Sequence, residues 1–178
     1  IKPIDFNIIT KRLNLFPYQM LFFSAFRYGN LQPAFPEIAG KTERKLSTLQ
    51  ADEQVLLLTG IASPAPIMQE LEKYTSHIDL LAFDDHHNFS QRDIQSIRER
   101  FKKLKGEQRL IITTEKDATR LVHHPVMDRE LKKYIYILPI EVEILQNQQD
   151  IFNQHIIGYV RENTRDGSFS ERKDAHKS

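Results

Sequence analysis

"VLLLTGIASP", Val55–Pro64, decides how the rest of the chain is read. A run of consecutive apolar residues suits a strand buried on both faces, the pattern of parallel sheets. Gly60 then permits a tight turn. Ser63 followed by Pro64 is the pair that opens helices, serine as cap and proline at the first helical position. Ile67, Leu71 and Tyr74 recur behind it at helical spacing. The same cadence repeats downstream. "IDLLAF" (Ile78–Phe83) is a second buried strand. Ser90 and Asp93 form a capping-box pattern, with Phe89 and Ile94 as a hydrophobic staple. Ile94, Ile97, Phe101 and Leu104 share one helix face, and Gly106 stops that helix. "RLIIT" (Arg109–Thr113) is a third strand, "TEKDATRL" a helix with Thr114 and Asp117 spaced as a cap, and "YIYIL" (Tyr134–Leu138) a fourth strand. A last helix, from about Asp150 to Arg161, is expected to bury Ile151, Phe152, Ile156, Tyr159 and Val160. Strands alternating with helices imply an α/β fold: a mostly parallel sheet with helices on both faces, three-layered and Rossmann-like.

The flanks read differently. "MLFFSAFRY" (Met20–Tyr28) is an aromatic strand with no neighbour in sequence, and a lone strand must complete a sheet elsewhere. "NLQPAFPEIAGKTERK" behind it reads as linker. Residues from Thr164 lack periodicity and read as a disordered tail. The expected division is 1–50 as remnant strand and hinge, 51–163 as the α/β domain and 164–178 as tail.

Composition narrows the chemistry. The chain has 178 residues, 40% of them apolar, enough for one real core, and no run nears the ~18 apolar residues of a membrane span. A formal net charge of +1 gives no basic field, which disfavours nucleic acid as the main partner. The absence of cysteine excludes disulfides, thiolate zinc sites and cysteine nucleophiles. The first residue is Ile1 and no signal peptide follows, so a piece of something longer is expected.

In open α/β sheets ligands gather at the carboxyl ends of the strands. Three polar loops leave those ends: "TGIAS", "DDHHN" and "TTEKD". Asp84, Asp85, His86 and His87 cannot all face one site, because neighbours on extended chain point to opposite sides. They form either a polar loop ahead of the Ser90 cap or a histidine oriented by a carboxylate for proton transfer. Thr114 and the acids after it are what a helix start wants. Lys116 is out of place there, and either extends into solvent or faces an anionic ligand at that terminus. Gly60 serves turn geometry or the close approach of a ligand. His123 and His124 favour the negative pole of a helix end. "GKT" at Gly40–Thr42 is the tail of a phosphate-cradling loop only in appearance: the full pattern needs glycine where Phe35 stands, and Pro33 and Pro36 spoil a preceding strand.

The order "TGIASP", "FDDHHNFS", "IITTEKDATRL" resembles the carboxyl-terminal half of the tetraacyldisaccharide 4′-kinases of Gram-negative lipid A synthesis. The opening "KPIDFNIITKRLNLFPYQMLFFSAFRYGNLQPAF" resembles the middle of their Bacteroides-type members, so the likeness runs to about Val160. The resemblance implies an enzyme at the cytoplasmic face of the inner membrane. It would use ATP and Mg²⁺ to phosphorylate the 4′-hydroxyl of an acylated disaccharide 1-phosphate, yielding lipid IVA. It implies a partner lobe of P-loop type, absent from this chain, which carries the Walker lysine, the magnesium ligands and the catalytic aspartate. It implies that His86, behind Asp85, orients and tunes that aspartate, so that His86 and Asp85 are the catalytic candidates, with no metal ligand in this chain. Gly60, Thr114 and Lys116, on the other loops of the same rim, are the candidate substrate or phosphate contacts. His87 receives no role. Two rival readings stand beside it. One is a manganese phosphoesterase of the DHH type, which needs further aspartates for two metals. The other is a non-catalytic α/β interaction module, whose exposed "LFFSAF" would promote self-association.

Overall fold

The computed structural model describes the backbone of residues 3–40, 43–85 and 87–174, and the side chains of 5–40, 43–85 and 87–164. His86 therefore lies outside the described residues, as do Lys41 and Thr42 of the "GKT" tripeptide. Gly40 itself caps a short helix in left-handed conformation (φ 55°).

The elements run α1 (Pro3–Leu13), β1 (Ser24–Tyr28), β2 (Gln32–Pro33), α2 (Pro36–Ala39), a 3₁₀ turn (Leu46–Thr48), β3 (Gln54–Thr59), α3 (Ala65–Leu71) and β4 (Ile78–Ala82). They continue with α4 (Gln91–Lys103), β5 (Arg109–Thr114), α5 (Glu115–Val122), α6 (Arg129–Lys132), β6 (Ile135–Leu138), β7 (Ile140–Ile144) and α7 (Gln149–Asp174). The main sheet has the order β2-β6-β5-β3-β4. β6, β5, β3 and β4 are parallel, and β2 closes the β6 edge antiparallel. The expected mostly parallel α/β sheet is what the chain forms.

Both faces are covered, which is why the strands are continuously apolar. Leu56, Leu58, Ile111 and Ile135 pack against Ile94, Ile97 and Phe101 of α4, Leu121 of α5 and Leu131 of α6. On the other face Val55, Leu57, Leu110, Ile112, Tyr136 and Leu138 meet Ile67 and Leu71 of α3, with Leu31, Leu46 and Leu49. Each side chain so buried contributes roughly 1.5–3 kcal/mol. The three-layer arrangement follows from the sequence pattern directly.

Several expectations need correction. α3 starts at Ala65, with Pro64 in the cap position and no side-chain cap bond, so Ser63 does not cap it. Two prolines, Pro64 and Pro66, preset the helical backbone there without help from serine. The aromatic segment contributes only Ser24–Tyr28 as strand, and β1 has a partner in this chain, β7. The alternation "IEVEI" in β7 is the sequence signal of that partner strand.

The chain divides into two units, Tyr28–Glu141 and Ile1–Arg27 with Val142–Ser178, and the crossings fall inside β1 and β7. The segment expected as a hinge thus belongs largely to the sheet unit. Leu31, Phe35, Leu46 and Leu49 are buried, and the Arg44 guanidinium grips Glu53 with two bonds of 2.6 Å. In the other unit, Phe22 meets Phe152 of α7 edge-on and Phe6 packs on Phe23. Ile151, Ile156, Tyr159 and Val160 are exposed, contrary to their expected burial. The backbone from Thr164 to Asp174 continues α7, where a structureless tail was expected.

Candidate active site

Parallel register brings the carboxyl ends of β3, β4 and β5 together. Thr59 lies beside Ala82, Leu58 beside Thr113, and the Phe83 N–H donates to the Thr59 carbonyl at 2.8 Å. The loops bearing Gly60, Asp84–Asp85 and Thr114–Asp117 therefore leave from one rim.

Thr114 caps α5 by accepting the Asp117 N–H at 3.2 Å. Its hydroxyl in turn donates to Asp117 Oδ2 at 2.8 Å. Asp117 is fully buried, and the same Oδ2 accepts the Gly60 N–H at 2.8 Å. Asp117 is thus more than a cap: it joins the β3 and β5 loops. Its Oδ1 is buried without a hydrogen-bond partner among the described residues.

Lys116, one residue earlier, turns back over the same loop. Its Nζ donates to the Gly60 carbonyl at 3.1 Å and forms an ion pair with Asp85 Oδ1. A cation in the first turn opposes the helix dipole, and the carboxylate with the carbonyl offsets that. Of the two readings left open for Lys116, extension into solvent does not hold, because its ammonium is engaged by the Gly60 carbonyl and Asp85. Gly60 is required by close approach. A Cβ there would stand 3.0 Å from the Asp84 carbonyl oxygen and 3.1 Å from Asp117 Oδ1.

His87 has a structural job. Its ring stacks on Phe83 (centroids 4.7 Å apart), meets Phe89 edge-on and bonds Asp93 Oδ2 at 3.0 Å through Nε2. Its carbonyl accepts from Arg120 Nη1 at 3.1 Å. The loop is thereby pinned to α4 and α5. Burial opposes ionisation of Asp93, but bonds from the Ser90 hydroxyl, the Ser90 N–H and His87 outweigh it and hold its carboxyl below the usual carboxylate range.

The structure brings together Gly60, Asp85, Thr114 and Lys116 of the expected site residues, and His86 lies outside the described residues. The linking role of Asp117 was not anticipated. The cap pattern gave its position, but nothing in one sequence ties residue 117 to residue 60. Among the described residues no group of three or more His, Asp or Glu side chains is arranged to hold a metal ion.

Residues 19–160 match the family model described as tetraacyldisaccharide-1-P 4′-kinase (LpxK). The chain belongs to this kinase family. Tetraacyldisaccharide 4′-kinases of Bacteroides fragilis and Bacteroides thetaiotaomicron are 72% and 68% identical to it over its whole length. That of Phocaeicola vulgatus is 50% identical over 96% of it. These matches cover 47%, 48% and 46% of the three relatives, so the chain spans about half the length of the tetraacyldisaccharide 4′-kinases it matches. A crystal structure of "apo" form LpxK from Aquifex aeolicus in complex with ATP aligns over 78% of this chain and 36% of that one, with 14% identity and a TM-score of 0.42. Kinase family membership sets aside the phosphoesterase reading of "DDHH".

Proposed function

We propose that this chain is the carboxyl-terminal lobe of a kinase that moves the γ-phosphate of ATP to the 4′-hydroxyl of an acylated disaccharide 1-phosphate. In that reaction the bond from the γ-phosphorus to the ADP oxygen breaks, a bond to the sugar oxygen forms, and the hydroxyl proton passes to a base. Little covalent chemistry falls to the protein, whose work is positioning and charge stabilisation.

The observation that carries the reading is the convergence of Gly60, Asp85 and Lys116 on the carboxyl rim of a parallel sheet, in a chain of this kinase family. On this reading His86, next to Asp85, orients and tunes an aspartate of a partner P-loop lobe. On the same reading ATP and Mg²⁺ are held chiefly by that lobe. Closure of the two lobes around substrate would exclude water and complete the constellation. The lipid substrate places the complete enzyme at the cytoplasmic face of the inner membrane. In this chain no described helix is long and apolar enough to cross a membrane.

The test is His86→Ala in the full-length enzyme. General acid–base catalysis contributes typically ~10²–10⁴-fold, so loss of the group that orients the base should lower kcat by up to about that factor while the KM for ATP stays within ~3-fold. Equal turnover in mutant and parent would remove His86 from the mechanism.

A further inference from the structure

Gly60 is held at both ends of its residue by neighbouring side chains of one helix turn. Its N–H is taken by Asp117 Oδ2 at 2.8 Å and its carbonyl by Lys116 Nζ at 3.1 Å. The same ammonium reaches on to Asp85. The carboxylate under this clamp is fully buried, and its second oxygen has no hydrogen-bond partner among the described residues. A buried carboxylate with one oxygen unsatisfied is expensive to keep. A threonine hydroxyl alone would have sufficed to cap α5.

From this we infer that Asp117 is a positioning residue of the phosphoryl-transfer site. It fixes the Gly60 peptide against the first turn of α5, so that Lys116 meets Gly60 and Asp85 together and sets Asp85 on the rim. The inference rests on the kinase reading above and adds to it a residue that touches no reactant. Substitution at 117 should slow turnover without loosening ATP, because the triphosphate is gripped elsewhere. Its effect should also be redundant with loss of Asp85, since residues acting through one contact chain are not independent.

The experiment is a double-mutant cycle in the full-length enzyme with Asp117→Asn and Asp85→Ala, and His86→Ala in parallel. Asp117→Asn is close to isosteric and removes the charge. Expected are a 10–100-fold loss of kcat, a KM for ATP within ~3-fold of the parent and a double mutant no more than ~3-fold slower than Asp85→Ala alone. A general loosening of the fold would instead multiply with Asp85→Ala. Losses that multiply, or Asp117→Asn turning over at the parent rate while Asp85→Ala and His86→Ala are slow, overturn the positioning role and leave the kinase reading standing. Full activity in both Asp85→Ala and His86→Ala also overturns the positioning role, since the rim then contributes nothing to be positioned, whereas a parent enzyme that does not phosphorylate the disaccharide with ATP overturns the kinase reading itself. Should Asp117→Asn not fold, Lys116→Met, which breaks the clamp from its solvent side, enters the same cycle under the same criteria.

Discussion

The Gly60 peptide is gripped from both sides, its N–H donating to Asp117 Oδ2 and its carbonyl accepting from Lys116 Nζ. Its place after a buried strand pointed to turn or ligand, and the structure supplies a third account: there is no room for a methyl group. The nearest atom to a Cβ would be a backbone carbonyl, that of Asp84 at 3.0 Å, which cannot swing aside as a side-chain tip would. Gly60→Ala should therefore destabilise the chain by about 1–3 kcal/mol, the usual range for forcing a methyl into packed space. A denaturant midpoint lowered at unchanged slope is the expected reading. A midpoint equal to the parent's would mean that the turn opens freely. Asp117 was legible as a cap from its spacing to Thr114. Its bond to Gly60 was not, because contact between positions 57 apart is set by strand register and leaves no local trace.

Of the expected helix caps, Ser90 and Thr114 form at α4 and α5 while Ser63 does not at α3. The box at α4 forms as its sequence suggests: the Asp93 N–H meets the Ser90 hydroxyl at 3.3 Å, and the Ser90 N–H meets Asp93 Oδ2 at 2.7 Å. The Asp93 carboxyl is held below its ordinary value of 3.8 in the folded chain. Its contribution is thus fully present above that value and lost as pH falls through the lower, folded one. The parent should lose stability over this acid window more steeply than Asp93→Asn. At neutral pH the mutant should be weaker by ~1 kcal/mol, the usual worth of a cap. Thermal unfolding from pH 2 to pH 7 measures both, and parallel curves for the two proteins would count against the box. The strands divide likewise. β3 and the body of β5 were legible because burial on both faces makes them apolar, whereas β4, at the sheet edge and carrying Asp79, is only partly buried. β2 is two residues long and has no signature, while β7 alternates openly and follows β6 across the single residue Pro139.

At the scale of the molecule, the sheet unit begins earlier than its strands suggest. Proline and polar residues in the region 28–50 mimic a linker. Yet Leu31 is fully buried, Phe35 and Leu49 nearly so, and Glu53, itself buried, holds Arg44 through both carboxylate oxygens. Sparse apolar anchors among polar residues give no periodicity, so composition misleads there. A chain of residues 28–141 should unfold cooperatively, whereas 51–141 should lose that transition, having shed the residues that cover one face of the sheet. Equal cooperativity in the two would show that the segment is dispensable. The kinase reading also belongs to this scale. The rim built by β3, β4 and β5 is proposed as one wall of a phosphoryl-transfer site whose other wall, with the phosphate cradle, lies in the remaining length of the kinases that this chain resembles. The direct measurement is ADP release by the isolated chain, supplied with ATP, Mg²⁺ and tetraacyldisaccharide 1-phosphate. The account predicts no turnover above the enzyme-free rate, and sustained, disaccharide-dependent ADP release would contradict it.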